Sequence, residues 1–101
     1  MDNMIDRLLK DSTQPGVIVL SSLDFDTGQS ADVIHSMVAK KHQVPVVNQR
    51  AALWPNIRAG QQTPFSRAEL ANDALHPSET GDRIYAENII YLLEKILDTL
   101  P

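Results

Sequence analysis

The chain has 101 residues, which suits one domain that buries roughly 60–65% of its unfolded surface. A net charge of −4 argues against a nucleic-acid-binding protein, because such proteins usually present a basic face. The absence of cysteine excludes disulfides and thiolate metal sites. No apolar run approaches the 18 or so residues that span a bilayer, and residues 1–3 do not open a signal peptide, so a cytoplasmic location is expected by default.

The first half of the chain predicts two helices, each followed by a short strand. Apolar residues at positions 1, 4, 5, 8 and 9 share one helical face, and the breaker-rich residues 11–16 end that helix. Residues 17–20 form a continuous apolar run, which is typical of a strand buried on both faces. Ser30 is a plausible cap for a second helix, in which Val33, Ile34, Met37 and Val38 share a side. Residues 44–47 predict a second strand, with Pro45 among its first residues or on an edge.

The second half predicts an irregular stretch and one long helix. Short helices are expected around residues 49–54 and 66–72, and Pro55 is expected to act as a breaker. The last helix begins near Ser78. Its predicted buried stripe consists of Tyr85, Ile89, Leu92, Leu93, Ile96, Leu97 and Leu100.

This order of elements predicts an α/β sandwich with a parallel sheet. Two strands are too few, because a doubly wound domain ordinarily carries about four to six. We therefore expect residues 1–101 to form a single partial α/β domain, with about two strands and three main helices. The remaining strands would come from another chain or a second copy of this one, or would have been removed.

Asp73 and His76 lie three residues apart, on a loop just ahead of the last helix. A carboxylate that accepts the Nδ1 proton of a histidine fixes its tautomer and leaves Nε2 free to act as a base. The alternative is structural: the aspartate caps the backbone and the histidine merely packs. A serine partner is not evident, because Ser21 and Ser22 lack the tight glycine-flanked turn of a nucleophile. They are expected to line a loop or cap a helix.

Trp54 is a candidate for the substrate cleft. It could stack on an acyl chain or a sugar ring, or it could plug the core beneath its loop. His35 and His42 lie seven residues apart, but no cluster of acidic residues at ligand spacing accompanies them. They are expected to be exposed helix histidines, and no metal or cofactor is predicted.

Three stretches resemble the C-terminal half of the SGNH (GDSL-like) hydrolases. Residues 15–22 resemble the family's fourth sheet strand, and residues 31–48 resemble the following helix and fifth strand. Residues 73–81 resemble the family's last block, D-x-x-H-P-x-x-x-G, which is the most specific of the three. Together the match spans roughly residues 5–100.

The resemblance implies a flavodoxin-like, three-layer α/β/α fold that hydrolyses esters or acetyl groups through a Ser-His-Asp triad without a metal. In this chain His76 matches the general base and Asp73 its orienting carboxylate. The family's G-D-S and G-x-N-D blocks, which supply the nucleophile and oxyanion donors, do not occur here. Each oxyanion donor is worth about 10²–10³ in rate, so the chain alone is not expected to be a competent esterase.

Two functional hypotheses follow. In the first, the missing N-terminal half of the fold completes a hydrolase that acts on a small ester or an acetylated carbohydrate. In the second, the chain is a non-catalytic assembly module, because an exposed sheet edge and an uncovered helix face favour homo-oligomers. Neither hypothesis involves nucleic acid or a membrane span.

Overall fold

The computed structural model describes residues 1–100. The predicted domain of residues 1–101 ends one residue beyond that range. The described residues form five helices and two strands, in the order α1 (Asp2–Leu9), β1 (Val19–Ser21), α2 (Asp32–Lys41), β2 (Val46–Asn48), α3 (Gln49–Arg58), α4 (Arg67–Leu70) and α5 (Glu79–Asp98). None of these helices is long and apolar enough to cross a membrane.

The two strands pair in parallel, with Val19 opposite Val46 and Ser21 opposite Asn48. A parallel pair requires a crossover connection, and α2 provides it. Pro45 lies just before β2, where its carbonyl oxygen accepts a hydrogen bond from the Val19 amide at 2.9 Å. The predicted α/β class with a parallel sheet is therefore confirmed, and the chain carries one strand pair of that sheet.

Helices α1 and α2 cover one face of the sheet. Ile5, Val19 and Ala39 are buried together there, and they contact the half-buried side chains of Val38, Val44 and Val46. Successive side chains of a strand point to opposite faces, so Val47 faces the other way. It is also buried, on the side where α5 contacts β2.

A second core lies beyond the carboxyl end of β1. It consists of Leu23, Phe25, Leu70, Ala71 and Ile84. Half-buried side chains from α3 and α5 surround it, among them Trp54 and Tyr85. This core packs the loop after β1 against the start of α5. The loop that carries Asp73 and His76 lies directly before that helix.

The stripe predicted to be buried on α5 is only partly buried, and the apolar side predicted on α2 is largely exposed. On α2, Val33, Ile34 and Met37 are 68%, 65% and 67% exposed. On α5, Leu97 is 65% exposed, and Ile84 is the buried large side chain. A helix of 20 residues is about 30 Å long. A strand of three residues rises only about 10 Å, so the end of α5 extends past everything that could cover it.

Two local predictions also differ from the structure. Leu20 is 44% exposed, so β1 is not buried on both faces. Pro55 does not break α3, which continues to Arg58. Proline removes the hydrogen bond to the carbonyl of Ala51, four residues earlier. Both residues are exposed, so water can solvate that carbonyl.

Candidate functional site

The loop that carries Asp73 and His76 is closed at its base by backbone hydrogen bonds. The Asn72 amide donates to the His76 carbonyl oxygen at 2.9 Å, and Ala71 forms an antiparallel bridge with Pro77. The Ser78 amide donates to the Leu70 carbonyl oxygen, also at 2.9 Å. The two ends of the loop are thus tied together before α5 begins.

Helix α5 begins against this base. The Ser78 hydroxyl caps the helix by accepting a hydrogen bond from the Gly81 amide at 3.1 Å, which confirms the predicted helix start. A Cβ on Gly81 would lie 2.0 Å from the Leu70 carbonyl oxygen. Only glycine allows the helix to approach the loop this closely, which gives a physical reason for the glycine that ends residues 73–81.

The Asp73 carboxylate binds both the loop backbone and the histidine ring. Its Oδ1 accepts hydrogen bonds from the amides of Leu75 at 2.9 Å and His76 at 2.8 Å. Both carboxylate oxygens lie 2.9 Å from His76 Nδ1. The same side chain thus makes the backbone contacts and the ring contacts that the two sequence interpretations require, and the catalytic role of the pair stays a prediction.

The electrostatics of this pair favour an ionised aspartate. The amides of Leu75 and His76, followed by the His76 ring, lower the pKa of Asp73 to about 2. An ionised carboxylate can only accept hydrogen bonds, so Nδ1 of His76 is the donor and Nε2 of the neutral ring keeps its lone pair. The His76 side chain is 76% exposed, which leaves Nε2 open for a proton transfer.

The buried residue Phe25 holds the loop that carries Asp73 and His76. The Phe25 amide donates to the Ala74 carbonyl oxygen at 2.7 Å, and the Phe25 side chain is fully buried. Its ring stacks on that of Tyr85, with centroids 6.3 Å apart. Sequence reasoning missed Phe25, because nothing near it in the chain indicates that it meets a loop about fifty residues later.

Trp54 supports the loop after β1. Gly28 has a φ of +74°, and a Cβ there would lie 2.2 Å from Trp54 Cε2. Arg50 Nε donates to the Gly28 carbonyl oxygen at 2.7 Å. The indole also packs on the core of Leu23 and Phe25, a position that agrees with the packing interpretation of this residue.

Ser21 and Ser22 make hydrogen bonds at the carboxyl end of β1. Ser21 is fully buried, and Ser22 Oγ lies 2.9 Å from the Tyr85 hydroxyl. Burial raises the pKa of Tyr85, so the phenol is neutral and can donate to the serine. Ser30 Oγ accepts a hydrogen bond from the Asp32 amide at 3.1 Å, at the start of α2.

The prediction that His35 and His42 are exposed is wrong. His42 is 11% exposed because it ends α2 against the start of α1, where its Nε2 lies 2.5 Å from Asp2 Oδ1. Lys41 Nζ lies 2.8 Å from the other oxygen of Asp2, and the hydrogen bonds of Lys41 and then of His42 lower the pKa of Asp2 to about 2. His35 is half-buried, and its Nδ1 is buried without a hydrogen-bond partner. Within residues 1–100, no three His, Asp or Glu side chains come together as a metal site.

An open groove of about 1070 Å³ lies between the start of α2 and residues 72–77, the loop that carries Asp73 and His76 and is called the dyad loop below. Leu75, next to His76, lines it, and Ser22, Val33, Ile34 and Arg50 are among its other lining residues. Sequence reasoning did not find this groove, because its walls come from four separate parts of the chain.

The sequence matches no protein-family model and no curated protein. Two solved structures share the fold. One is the crystal structure of a two-domain esterase (CEX) active on acetylated mannans, with a TM-score of 0.87 and 24% identity over 99% of this chain and 26% of the esterase chain. The other is that esterase co-crystallized with mannopentaose, with a TM-score of 0.85 and 24% identity over 94% of this chain and 25% of the esterase chain. This chain thus spans about a quarter of the length of the structures it matches, and the likeness shows that it shares the fold of that part of them.

Proposed function

We propose that this chain is the C-terminal part of an SGNH-type serine hydrolase that removes acetyl or other acyl groups from a carbohydrate ester. The observation that carries the proposal is the pair of 2.9 Å contacts between the Asp73 carboxylate and His76 Nδ1. They hold the ring by one nitrogen while the other stays open. The esterase-like fold and the neighbour's activity on acetylated mannans support the choice of substrate class.

In the proposed reaction, the serine comes from the part of the protein that precedes this chain. His76 Nε2 takes the proton of the serine hydroxyl as the oxygen attacks the ester carbonyl, and Asp73 stabilises the imidazolium that forms. The imidazolium then gives the proton to the departing sugar oxygen, which leaves an acyl-enzyme. Water, deprotonated by His76, cleaves that intermediate and releases the acid. Backbone donors from the missing part would stabilise the oxyanion.

The test combines this chain with the N-terminal half of the same protein and a chromogenic acetate ester. We expect hydrolysis to depend on both parts and to fall at least about 10³-fold in His76→Ala. His42→Gln is the matched control, because His42 lies at the end of α2, where it contacts Asp2 of α1 and not Asp73. Undiminished hydrolysis in His76→Ala, or an equal loss in the control, would contradict the proposal.

A second candidate function is a non-catalytic assembly module. It rests on the exposed apolar side chains of Val33, Ile34 and Met37 on α2 and Leu97 on α5, and on the single neighbour that each described strand has. Such surfaces favour self-association. Light scattering after size exclusion tests it: a monodisperse monomer at high concentration would exclude this function for the isolated chain.

A further inference from the structure

The groove beside the dyad loop has an apolar wall that no other part of the described chain covers. Leu75, Val33 and Ile34 contribute to this wall, and they are 63%, 68% and 65% exposed. Exposed apolar clusters of this kind mark ligand grooves or protein interfaces. Its volume of about 1070 Å³ lies just above the range for small-molecule sites, roughly 300–1,000 Å³.

The remaining walls carry hydrogen-bonding groups that the fold leaves unused. Arg50 Nε holds the Gly28 carbonyl, but the two Nη atoms form no hydrogen bond or ion pair with residues 1–100. Asp32 Oδ2 accepts a hydrogen bond from Asn48 Nδ2 at 3.2 Å, whereas Asp32 Oδ1 has no hydrogen-bond partner among residues 1–100. Asp24 likewise uses only Oδ1, for the amides of its own turn. The groove therefore offers free donors on Arg50 and free acceptors on the two aspartates.

The charge of these groups restricts the ligand. Two carboxylates and one guanidinium line the groove, so a polyanion such as a phosphate ester would be repelled on balance. A purely aliphatic chain would leave the charged groups without partners. A neutral sugar satisfies both constraints, because its hydroxyls donate and accept and its C–H face packs on apolar side chains.

We propose that this groove, which is lined by Leu75, Ile34 and Arg50 and lies beside the loop that carries His76, binds the neutral oligosaccharide chain that carries the scissile ester. The proposal rests on the proposed function, since it identifies the sugar as part of that substrate. Arg50 would donate to ring hydroxyls, and Val33, Ile34 and Leu75 would pack against the C–H face of the sugar.

The first experiment measures binding of mannopentaose to the 101-residue chain by titration calorimetry. We expect Ile34→Asp and Arg50→Gln each to weaken binding by about tenfold or more. The matched controls are Ile90→Asp, at an exposed site on α5, and Arg58→Gln, at the far end of the helix that carries Arg50. Circular dichroism checks that each variant is folded. Arg50→Gln also removes the hydrogen bond to the Gly28 carbonyl oxygen and could loosen that loop. Ile34 is exposed, so Ile34→Asp tests the groove without disturbing the fold.

Two results would overturn this inference. One is that Ile34→Asp and Arg50→Gln bind mannopentaose as tightly as the control variants do. The other is tighter binding of an anionic oligosaccharide, such as trigalacturonate, than of mannopentaose.

The second experiment separates this inference from the proposed function by measuring two substrates with the completed hydrolase. On a chromogenic acetate, which has no sugar, Ile90→Asp should match the wild type, and Ile34→Asp should change KM far less than on the sugar ester. On acetylated manno-oligosaccharide Ile34→Asp should raise KM by about tenfold with little change in kcat. His76-dependent hydrolysis of both substrates with no effect of Ile34→Asp on KM would reject the subsite alone. Loss of His76 dependence on both substrates would reject the proposed function.

Discussion

The carbonyl oxygen of Leu70 occupies the space where a side chain on Gly81 would begin, 2.0 Å from the Cβ position. The same carbonyl oxygen accepts a hydrogen bond from the Ser78 amide, so it cannot rotate away without breaking the bond that closes the base of the dyad loop. This single close approach sets the distance between α5 and the end of α4. It therefore helps to position Asp73 and His76.

Gly81→Ala is expected to destabilise the chain by about 1–2 kcal/mol. Alanine favours a helix over glycine by roughly 0.5–1 kcal/mol, whereas forcing extra volume into packed structure costs about 1–3 kcal/mol. Because the clash is with backbone, we expect the second effect to win. Urea unfolding measures the free energy. Gly16→Ala is the control, since a Cβ there meets nothing within 4 Å. Equal stability of the two variants would show that the approach of α5 is not tight.

Asp73→Asn should separate folding from chemistry. The amide oxygen of asparagine can still accept the hydrogen bonds of the Leu75 and His76 amides, but the negative charge beside the imidazole is lost. We expect the chain to stay folded at neutral pH with a lower unfolding midpoint, because the ionised carboxylate contributes stability, and hydrolysis to fall on the order of 10⁴-fold in the completed protein.

The matched control for that substitution is Asp11→Asn. Asp11 holds a similar turn, with its Oδ1 accepting the Thr13 amide at 2.8 Å, but it has no histidine partner. Hydrolysis that falls equally in both variants would indicate a general effect on folding. Full activity in Asp73→Asn would remove the orienting role from this carboxylate.

The local geometry of the loop that carries Asp73 and His76 could be expected from the sequence, because the interactions that form the loop are local. Asp73 bonds to groups two and three residues away, and Ser78 caps the helix that it precedes. Such short-range hydrogen bonds follow from residue type and spacing alone. The pairing of the two strands could also be predicted, because continuous apolar runs joined by a helix favour a parallel pair.

The burial of helices could not be predicted in the same way. Periodicity shows which residues of α2 share a face, but it does not show what covers that face, and Ile34 and Met37 are largely exposed. His42 and Asp2 are 40 positions apart, so their side-chain contact depends on how two helices meet. The groove has the same origin, since no local pattern links Leu75 to Arg50.

Acid should destabilise the chain as pH falls from about 4 towards 2. Asp2 and Asp73 both have a pKa of about 2 in the folded chain, against an ordinary value of 3.8. A lowered pKa contributes stability above the unfolded value, and this contribution is lost as pH falls through the folded one. Asp2→Asn should therefore show a shallower decrease of Tm between pH 4 and 2 than the wild type. Asp98→Asn, at the end of α5, is the control, and we expect it to follow the wild-type curve. If Tm falls with pH equally steeply in Asp2→Asn and the wild type, Asp2 and its contacts to Lys41 and His42 do not cause the acid response.

Trp54 is the only tryptophan, so its fluorescence reports on one place in the fold. Because the indole lies against Gly28 and the core, we expect its emission to shift on unfolding but not on addition of mannopentaose. A saturable shift with the sugar would instead favour stacking of Trp54 on a ligand.

Gly28→Ala tests the same contact from the other side, and we expect it to destabilise the chain by about 1 kcal/mol or more and to shift the native emission. Gly60 is the matched control. It has a similar φ of +69°, yet a Cβ there meets nothing within 4 Å. Gly60→Ala therefore carries the backbone strain without the indole contact, and the difference between the two variants measures that contact. If both lose the same stability and neither changes the emission, Trp54 does not hold the Gly28 loop.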